Sequence, residues 1–159
     1  MEEQLQEKAV LVGLNITTNV KKIDDIDINE SMAELKELVK AAGAEVLASV
    51  IQNKPARDAA YFIGKGKVEE IRDYCHTLGA TMIVFNDELS GAHMRNIEDV
   101  TGLKVIDRTA LILDIFAQRA LSKEGKLQVE LAQLKYRLPR LCGMGGQMSR
   151  TGAGIGTRG

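Results

Sequence analysis

Short apolar segments alternate with amphipathic helical segments through the first 107 residues. The apolar segments have the roughly four to eight residues of a buried strand, and the helical segments repeat apolar residues three and four positions apart. A glycine follows each helical segment, at Gly43, Gly79 and Gly102, where a left-handed residue typically ends a helix. The order β-α-β-α-β-α-β predicts an α/β fold with a mostly parallel four-stranded sheet and helices on both faces. The predicted strands are residues 9–14, 45–52, 81–85 and 103–106.

Local motifs predict where the helices begin. Ser31 and Glu34 have the spacing of a capping box, so the first helix is expected to open at Ser31. Ser90 is expected to cap the third helix in the same manner. The apolar residues 61–63 are expected to add a short strand before the second helix.

A different pattern begins after Asp107. Residues 110–121 form a strongly apolar helical segment, and from Glu124 leucines recur at steps of four and three residues. That spacing is an a/d seam, which packs against another helix. We expect the seam to dimerise, to fold back on the sheet domain or to fray, and Pro139 to end or kink the helix near its last turn. The seam consists of Leu127, Leu131, Leu134, Leu138 and Leu141.

Charge is strongly segregated along the chain. Residues 1–118 carry a net charge of −7, whereas residues 119–159 carry eight lysines and arginines against two glutamates, a net charge of +6. Residues 143–159 also hold seven of the fifteen glycines. A basic, Gly-rich segment suits a polyanion, because guanidinium groups bind phosphates and glycine lets the backbone approach them. The alternative is a flexible linker made soluble by charge, but no acidic residue follows Glu130.

These patterns divide the chain into three predicted parts. An α/β sheet domain covers residues 1–107, a basic helical arm covers residues 108–142, and a Gly-rich basic loop covers residues 143–159. The arm and the loop are expected to contact RNA. The predicted RNA-binding residues are Lys135, Arg137, Arg140, Gly143, Gly145, Gly146, Arg150, Gly152, Gly154, Gly156 and Arg158.

The sequence argues against several classes of function. No P-loop is present, and the G-x-G-x-x-G match at residues 154–159 follows no strand, so no catalytic residues, cofactor or enzymatic activity are expected of this chain. Cys75 and Cys142 lie too far apart for a zinc motif, and no metal site is predicted. The absence of a signal peptide and of an apolar run of about 20 residues predicts a cytoplasmic protein that does not enter membranes.

A weaker motif lies between the predicted extra strand and the second helix. Gly64, Lys65, Gly66 and Lys67 stand where backbone N–H groups and a helix dipole favour an anion such as a nucleotide phosphate. The favoured alternative is a turn with two solvated lysines. Asp87 and Asp107 follow the third and fourth strands, where ligands bind in parallel sheets, but capping of the next helices is the preferred interpretation.

Seven longer segments resemble one known family, the HflX GTPases, and the resemblance extends from about residue 8 to the last residue. The family's pattern continues into a second arm of a helical hairpin and a Ras-like GTP-binding domain, neither of which is in this sequence. The matching segments are residues 61–70 (YFIGKGKVEE), 85–90 (FNDELS), 105–109 (VIDRT), 113–120 (LDIFAQRA), 124–134 (EGKLQVELAQL), 138–141 (LPRL) and 152–159 (GAGIGTRG).

The resemblance implies the N-terminal domain of a ribosome-associated GTPase, cut before the GTP-binding domain. Such a protein binds the large ribosomal subunit and splits or rescues ribosomes under stress, with GTP and Mg²⁺ in the missing domain. The partners implied are the rRNA of that subunit and the GTP-binding domain in cis, and the leucine seam adds a candidate homo-oligomer contact. The alternative hypothesis is a nucleotide-binding α/β domain that takes ATP at Gly64–Lys67 and the strand ends.

The absence of a P-loop leads to a first prediction. This chain should not bind GTP specifically, because it lacks both the phosphate-cradling loop and a motif that reads the guanine base. Calorimetric titration with GTP, with ATP as a matched nucleotide, would measure this. Micromolar, Mg²⁺-dependent binding of GTP in preference to ATP would contradict the prediction.

Overall fold

A computed structural model describes residues 6–18 and 27–141 and shows a four-stranded, fully parallel sheet. The strands lie in the order β2-β1-β3-β4, so the second strand is at one edge and the first is central. The strands are β1 (Lys8–Ile16), β2 (Glu45–Lys54), β3 (Met82–Phe85) and β4 (Lys104–Asp107). The helices are α1 (Ile28–Ala41), α2 (Lys65–Leu78), α3 (Gly91–Thr101), α4 (Arg108–Arg119) and α5 (Lys123–Leu141).

Helices cover both faces of the sheet, which confirms the predicted fold class. Val10 and Val12 of β1 pack with Val68 of α2 and Ile97 of α3 on one face. The alternate residues Ala9 and Leu11 of β1 face α1 and α4 in a second cluster. Because β1 is buried on both sides, it needs the continuous apolar run found in the sequence.

The glycine ends of the helices are as predicted, but the start of α1 is not. Gly43, Gly79 and Gly102 have φ angles of 98°, 77° and 70° and follow α1, α2 and α3. The prediction that α1 opens at Ser31 is wrong, because the helix begins one turn earlier. Asp27 is the N-cap, and its side chain accepts a hydrogen bond from the Asn29 N–H at 3.3 Å.

Residues 61–63 do not form the predicted short strand. Phe62 makes only an isolated antiparallel bridge with Asp58. The carboxylate of Asp58 accepts the N–H groups of Ala60 and Tyr61 at 3.0 and 2.8 Å, and these bonds lower its pKa. The chain therefore turns back too tightly to extend, and Phe62 takes a left-handed φ of 66°.

The arm packs back against the sheet domain through one face and leaves its leucine seam exposed. β4 ends at Asp107, and α4, which follows directly, buries Leu111 and Ile115 in the core. α5 lies along α4 and α3, and Pro139 stands inside it, two residues before Leu141. Four seam leucines are about half exposed, at 51–58%: Leu127, Leu131, Leu134 and Leu138.

None of the described helices is both long and apolar enough to cross a bilayer.

The exposed seam should contribute to self-association rather than to folding. Replacing Leu131 and Leu134 with Gln should change the free energy of unfolding by no more than about 0.5 kcal/mol per site, as at other surface positions. The control Leu111→Ala, in the core, should cost about 2–5 kcal/mol. Sedimentation should show concentration-dependent association of the parent chain and a monomer for the double variant. A destabilisation by Leu131→Gln as large as that by Leu111→Ala would contradict this.

Candidate functional site

A cavity opens at the carboxyl edge of the sheet, beside the junction of β1 and β3. In the strand order β2-β1-β3-β4, β1 connects to β2 on one side of this junction, and β3 connects to β4 on the other side. Ligands of open α/β sheets bind where the direction of connection reverses in this way. The cavity has a volume of about 500 Å³. Its walls include the apolar residues Leu14, Ile16, Pro55 and Phe62 and the charged residues Arg57, Asp87 and Glu88.

Asp87 supplies a buried polar atom to this cavity. The predicted capping role is wrong, because Ser90 caps α3 by accepting the His93 N–H at 3.1 Å, while His93 Nδ1 accepts the Ser90 N–H. Burial raises the pKa of Asp87, although a backbone hydrogen bond from Leu14 opposes the shift. Its Oδ2 is buried without a hydrogen-bond partner among the described residues. A buried carboxylate oxygen without a partner is uncommon in folded proteins.

Phe62 brings a strained backbone to the same cavity. Its left-handed φ of 66° is unusual for an aromatic residue, and such strain persists only where surrounding contacts enforce it. The ring packs edge-on against Phe85 and His93, with centroid separations of 6.2 and 5.5 Å. These contacts hold Phe62 as a fixed wall of the cavity.

A second polar cluster ties the loop after β3 to α1. Arg108 donates to Asn86 Oδ1 at 3.0 Å and to Glu34 Oε2 at 3.0 Å. Asn86 donates to Ser31 Oγ at 2.8 Å. The Ser31 and Glu34 pair that suggested a capping box therefore connects α1 to the strand ends instead.

Asp107 is fully buried and joins three elements. Its Oδ1 accepts the Ala110 N–H at 3.0 Å, which confirms the expected cap of α4. Its Oδ2 accepts the Leu89 N–H at 2.9 Å and also the hydroxyl of Tyr136 from α5. Burial raises the pKa of Tyr136, and the hydrogen bond to Asp107 raises it further, so this hydroxyl stays a donor. With both oxygens engaged, Asp107 contributes nothing to ligand binding.

Arg140 makes the other main contact between arm and sheet domain. Its guanidinium donates to Glu88 Oε1 at 2.8 Å, to the Leu89 carbonyl at 3.0 Å and to the Tyr136 carbonyl at 2.9 Å. It also stacks over the Tyr136 ring, 3.5 Å from the centroid. Its side chain is only 18% exposed, so this predicted RNA contact is occupied within the fold.

The other predicted RNA-binding residues divide into two groups. Lys135 is exposed and Arg137 is half-buried on α5, and neither forms an ion pair with another described residue. The rest lie outside the described residues, and their predicted role stays a prediction. They are Gly143, Gly145, Gly146, Arg150, Gly152, Gly154, Gly156 and Arg158.

No residue of the predicted anion site at Gly64–Lys67 is among those that line the cavity. Gly64 is the N-cap of α2, and its N–H already donates to Gln52 Oε1 at 2.9 Å. Lys67 pairs with Glu70 at 3.2 Å, whereas Lys65 and Gly66 are exposed.

Neither metal-binding nor thiol chemistry is evident in the described part of the chain. Among its residues, no group of three His, Cys, Asp or Glu side chains could hold a metal ion. Cys75 is buried, and burial raises its pKa to about 11, so its thiol is unreactive at neutral pH.

Arg57 and Tyr136 are site residues that the sequence analysis missed. Arg57 lies in a loop segment that matches no motif, so the sequence did not indicate a role for it. Tyr136 did give one, because it lies four residues before Arg140 and so shares its helix face.

Comparison with known proteins places this architecture in a family. The profile of the N-terminal region of GTP-binding GTPases matches residues 29–117, and the profile of their middle region matches residues 119–159. The GTPase HflX of Caldanaerobacter subterraneus is 53% identical over 154 residues, covering 97% of this chain and 34% of that protein. The GTPase HflX of Escherichia coli K12 is 44% identical over 153 residues, covering 96% and 34%.

Solved structures agree with these matches. A GTP-binding protein from the hyperthermophilic archaeon Sulfolobus solfataricus, in complex with GDP, has a TM-score of 0.62 and 28% identity. The similarity covers 86% of this chain and 38% of that one. The chain spans about a third of the length of the curated relatives it matches. Because the N-terminal profile alone matches more than half of its residues, the chain belongs to the HflX family of GTP-binding proteins, whose N-terminal and middle regions it represents.

Proposed function

We propose that this chain is the ribosome-binding N-terminal region of an HflX-like GTPase and contacts the rRNA of the large subunit through its arm. The observation that carries the proposal is the charge segregation, with a net charge of +6 confined to residues 119–159. rRNA is a polyanion, and a basic surface beside a neutral or acidic domain directs binding to one end of the molecule.

The geometry of the arm supports this function. α5 has 19 residues and is therefore about 28 Å long at 1.5 Å per residue, so its outward side offers an extended surface to RNA. Lys123, Lys126 and Lys135 are exposed along it, where they can approach phosphates. The Gly-rich residues 143–159 continue directly from this helix in the sequence and add Arg150 and Arg158.

In the whole protein, the proposal assigns separate tasks to separate parts. GTP and Mg²⁺ bind to the GTP-binding domain that gives the family its name, and this region recognises the ribosome in cis. Binding at the large subunit then serves to split or rescue ribosomes under stress in the cytoplasm.

Affinity for the large subunit should depend on the exposed cations of the arm. Lys135→Ala and Arg137→Ala should each weaken binding and flatten its salt dependence by about 0.7–0.9 in log–log slope per lost phosphate contact. Arg150→Ala and Arg158→Ala extend the test into the Gly-rich segment. Binding to purified subunits across a potassium chloride series measures both quantities.

Lys36→Ala is the matched control, because it removes one exposed positive charge from α1 of the sheet domain. It should leave affinity and slope unchanged. If the double variant of Lys135 and Arg137 behaves like this control, the arm is not the contact and the proposal fails.

A nucleotide-binding domain for ATP is a second candidate function. The observation that favours it is the cavity of about 500 Å³, a volume within the range of small-molecule sites. Asp87 and Arg57 both line the cavity, and the guanidinium of Arg57 suits a phosphate. For this second candidate we propose Arg57 and Asp87 as the site, in place of Gly64–Lys67 and Asp107.

Calorimetry with ATP can separate the two locations. If the cavity is the site, Arg57→Ala and Asp87→Asn should each weaken ATP binding at least about tenfold, which corresponds to roughly 1.4 kcal/mol for a lost charged contact. Lys65→Ala and Lys67→Ala should have no effect. The reverse pattern would favour Gly64–Lys67, and no binding at millimolar ATP would exclude both.

The variant Asp87→Asn should remain folded at neutral pH. Burial raises the pKa of Asp87, so the native chain retains this proton at pH values where the unfolded chain has released it. The stability contributed by this group therefore falls as the pH rises from the pKa of the unfolded chain through that of the folded chain. The neutral amide of Asn removes the cost of burying a charged carboxylate. A thermal melt at pH 7 should show the variant to be no less stable than the parent.

A further inference from the structure

We propose that Arg140 is a positioning residue for the arm and that, with Glu88, Tyr136 and Asp107, it forms a latch that fixes the direction of α5. The consequence for RNA affinity rests on the proposed ribosome-binding function. The latch itself can be tested without ribosomes.

The contacts of Arg140 are already used within the fold. Each of its three guanidinium nitrogens donates a hydrogen bond, to Glu88, Leu89 and Tyr136, at 2.8–3.0 Å. The Tyr136 ring covers one face of the guanidinium at 3.5 Å. Three of the five N–H groups of the guanidinium are used in this way, and the side chain is only 18% exposed, so most of its binding capacity serves the contact between arm and sheet domain.

The latch lies far along α5 from the first residue of that helix. α5 begins at Lys123, three residues after Ala120, the C-cap of α4. Arg140 lies 17 residues further along, about 25 Å at 1.5 Å per residue. A helix held at both ends cannot pivot, whereas the same helix held only at its start would swing widely at its tip.

Two further contacts set how closely α5 packs against α4 and α3. Gln133 of α5 donates to Asp114 of α4 at 3.0 Å. At Gly91, the first residue of α3, an added Cβ would lie 2.9 Å from the Arg140 Cα and closer still to its carbonyl oxygen. Gly91 has no left-handed φ, so the glycine is needed here for space. Its absent side chain lets Arg140 reach the Leu89 carbonyl.

Substitution of Glu88 distinguishes a latch from an RNA contact by the sign of its effect. If Arg140 contacted phosphates, Glu88→Gln would free it and remove a negative charge near the RNA, so affinity would rise. If Arg140 positions the arm, Glu88→Gln loosens the arm and affinity falls. Because Glu88 is 63% exposed, the expected loss is about two- to fivefold.

The first experiment measures the arm in the free chain. Spin labels on cysteines introduced at the exposed residues Lys36 of α1 and Lys135 of α5, in a Cys142→Ser background, give a distance distribution. The parent should give one narrow distance. Glu88→Gln should broaden it, and Gly91→Ala, which changes no charge, should broaden it at least as much. The matched control Glu37→Gln, whose carboxylate pairs with Lys40 at 3.7 Å on α1, should not.

The second experiment measures the affinity of the same variants for purified large subunits. Weaker binding by Glu88→Gln and Gly91→Ala, with no change for Glu37→Gln, supports the positioning role. Unchanged distance distributions in both variants overturn the latch, as does tighter binding by Glu88→Gln. Broadened distributions with unchanged affinity overturn its role in ribosome recognition. If neither the parent chain nor any variant binds subunits, the proposed function fails. The spin-label distance distributions still test the latch in that case.

Discussion

The buried carboxyl group of Asp107 is the interaction on which the arrangement of the carboxyl edge depends. A polar group buried this completely is costly unless hydrogen bonds replace its lost water. Asp107 meets that requirement with the Ala110 N–H, the Leu89 N–H and the Tyr136 hydroxyl. These partners belong to α4, to the loop before α3 and to α5. Satisfying one side chain therefore fixes the relative positions of three elements at the end of β4.

The arm carries two kinds of basic residue, one paired within the fold and one exposed to solvent. Arg140 faces the strand ends, one turn after Tyr136, and its charge is neutralised by Glu88. Lys135 lies on the outward side of the helix and remains exposed. The net charge of the arm therefore overstates how many of its cations are available to a polyanion. The helix face on which each residue lies decides which of them can bind outside the fold.

The sequence predicted the regular elements well, because their signals are local. The apolar run of β1 and the glycines after α1, α2 and α3 are set by neighbouring residues, and the sheet and helix ends follow from them. Ser31 misled because its spacing to Glu34 fits a cap, whereas its actual partners Asn86 and Arg108 are 55 and 77 residues away. Contacts between residues so far apart in the sequence produce no periodic pattern from which they could be predicted. The cavity beside Asp87 and the role of Arg140 could be seen only once the strand ends were brought together.

The loop that follows β3 contributes both to the cavity and to the contacts of the arm, and this affects how variants of the loop can be interpreted. Asp87 lines the cavity, while its neighbours Glu88 and Leu89 hold Arg140. A substitution at Asp87 can therefore alter ligand binding directly or by shifting the contacts of the arm. Arg57 lines the cavity from the loop after β2 and makes no hydrogen bond to the arm within the described chain. Loss of ligand binding in both variants, with the arm displaced in neither, is the combination that assigns the cavity a function of its own.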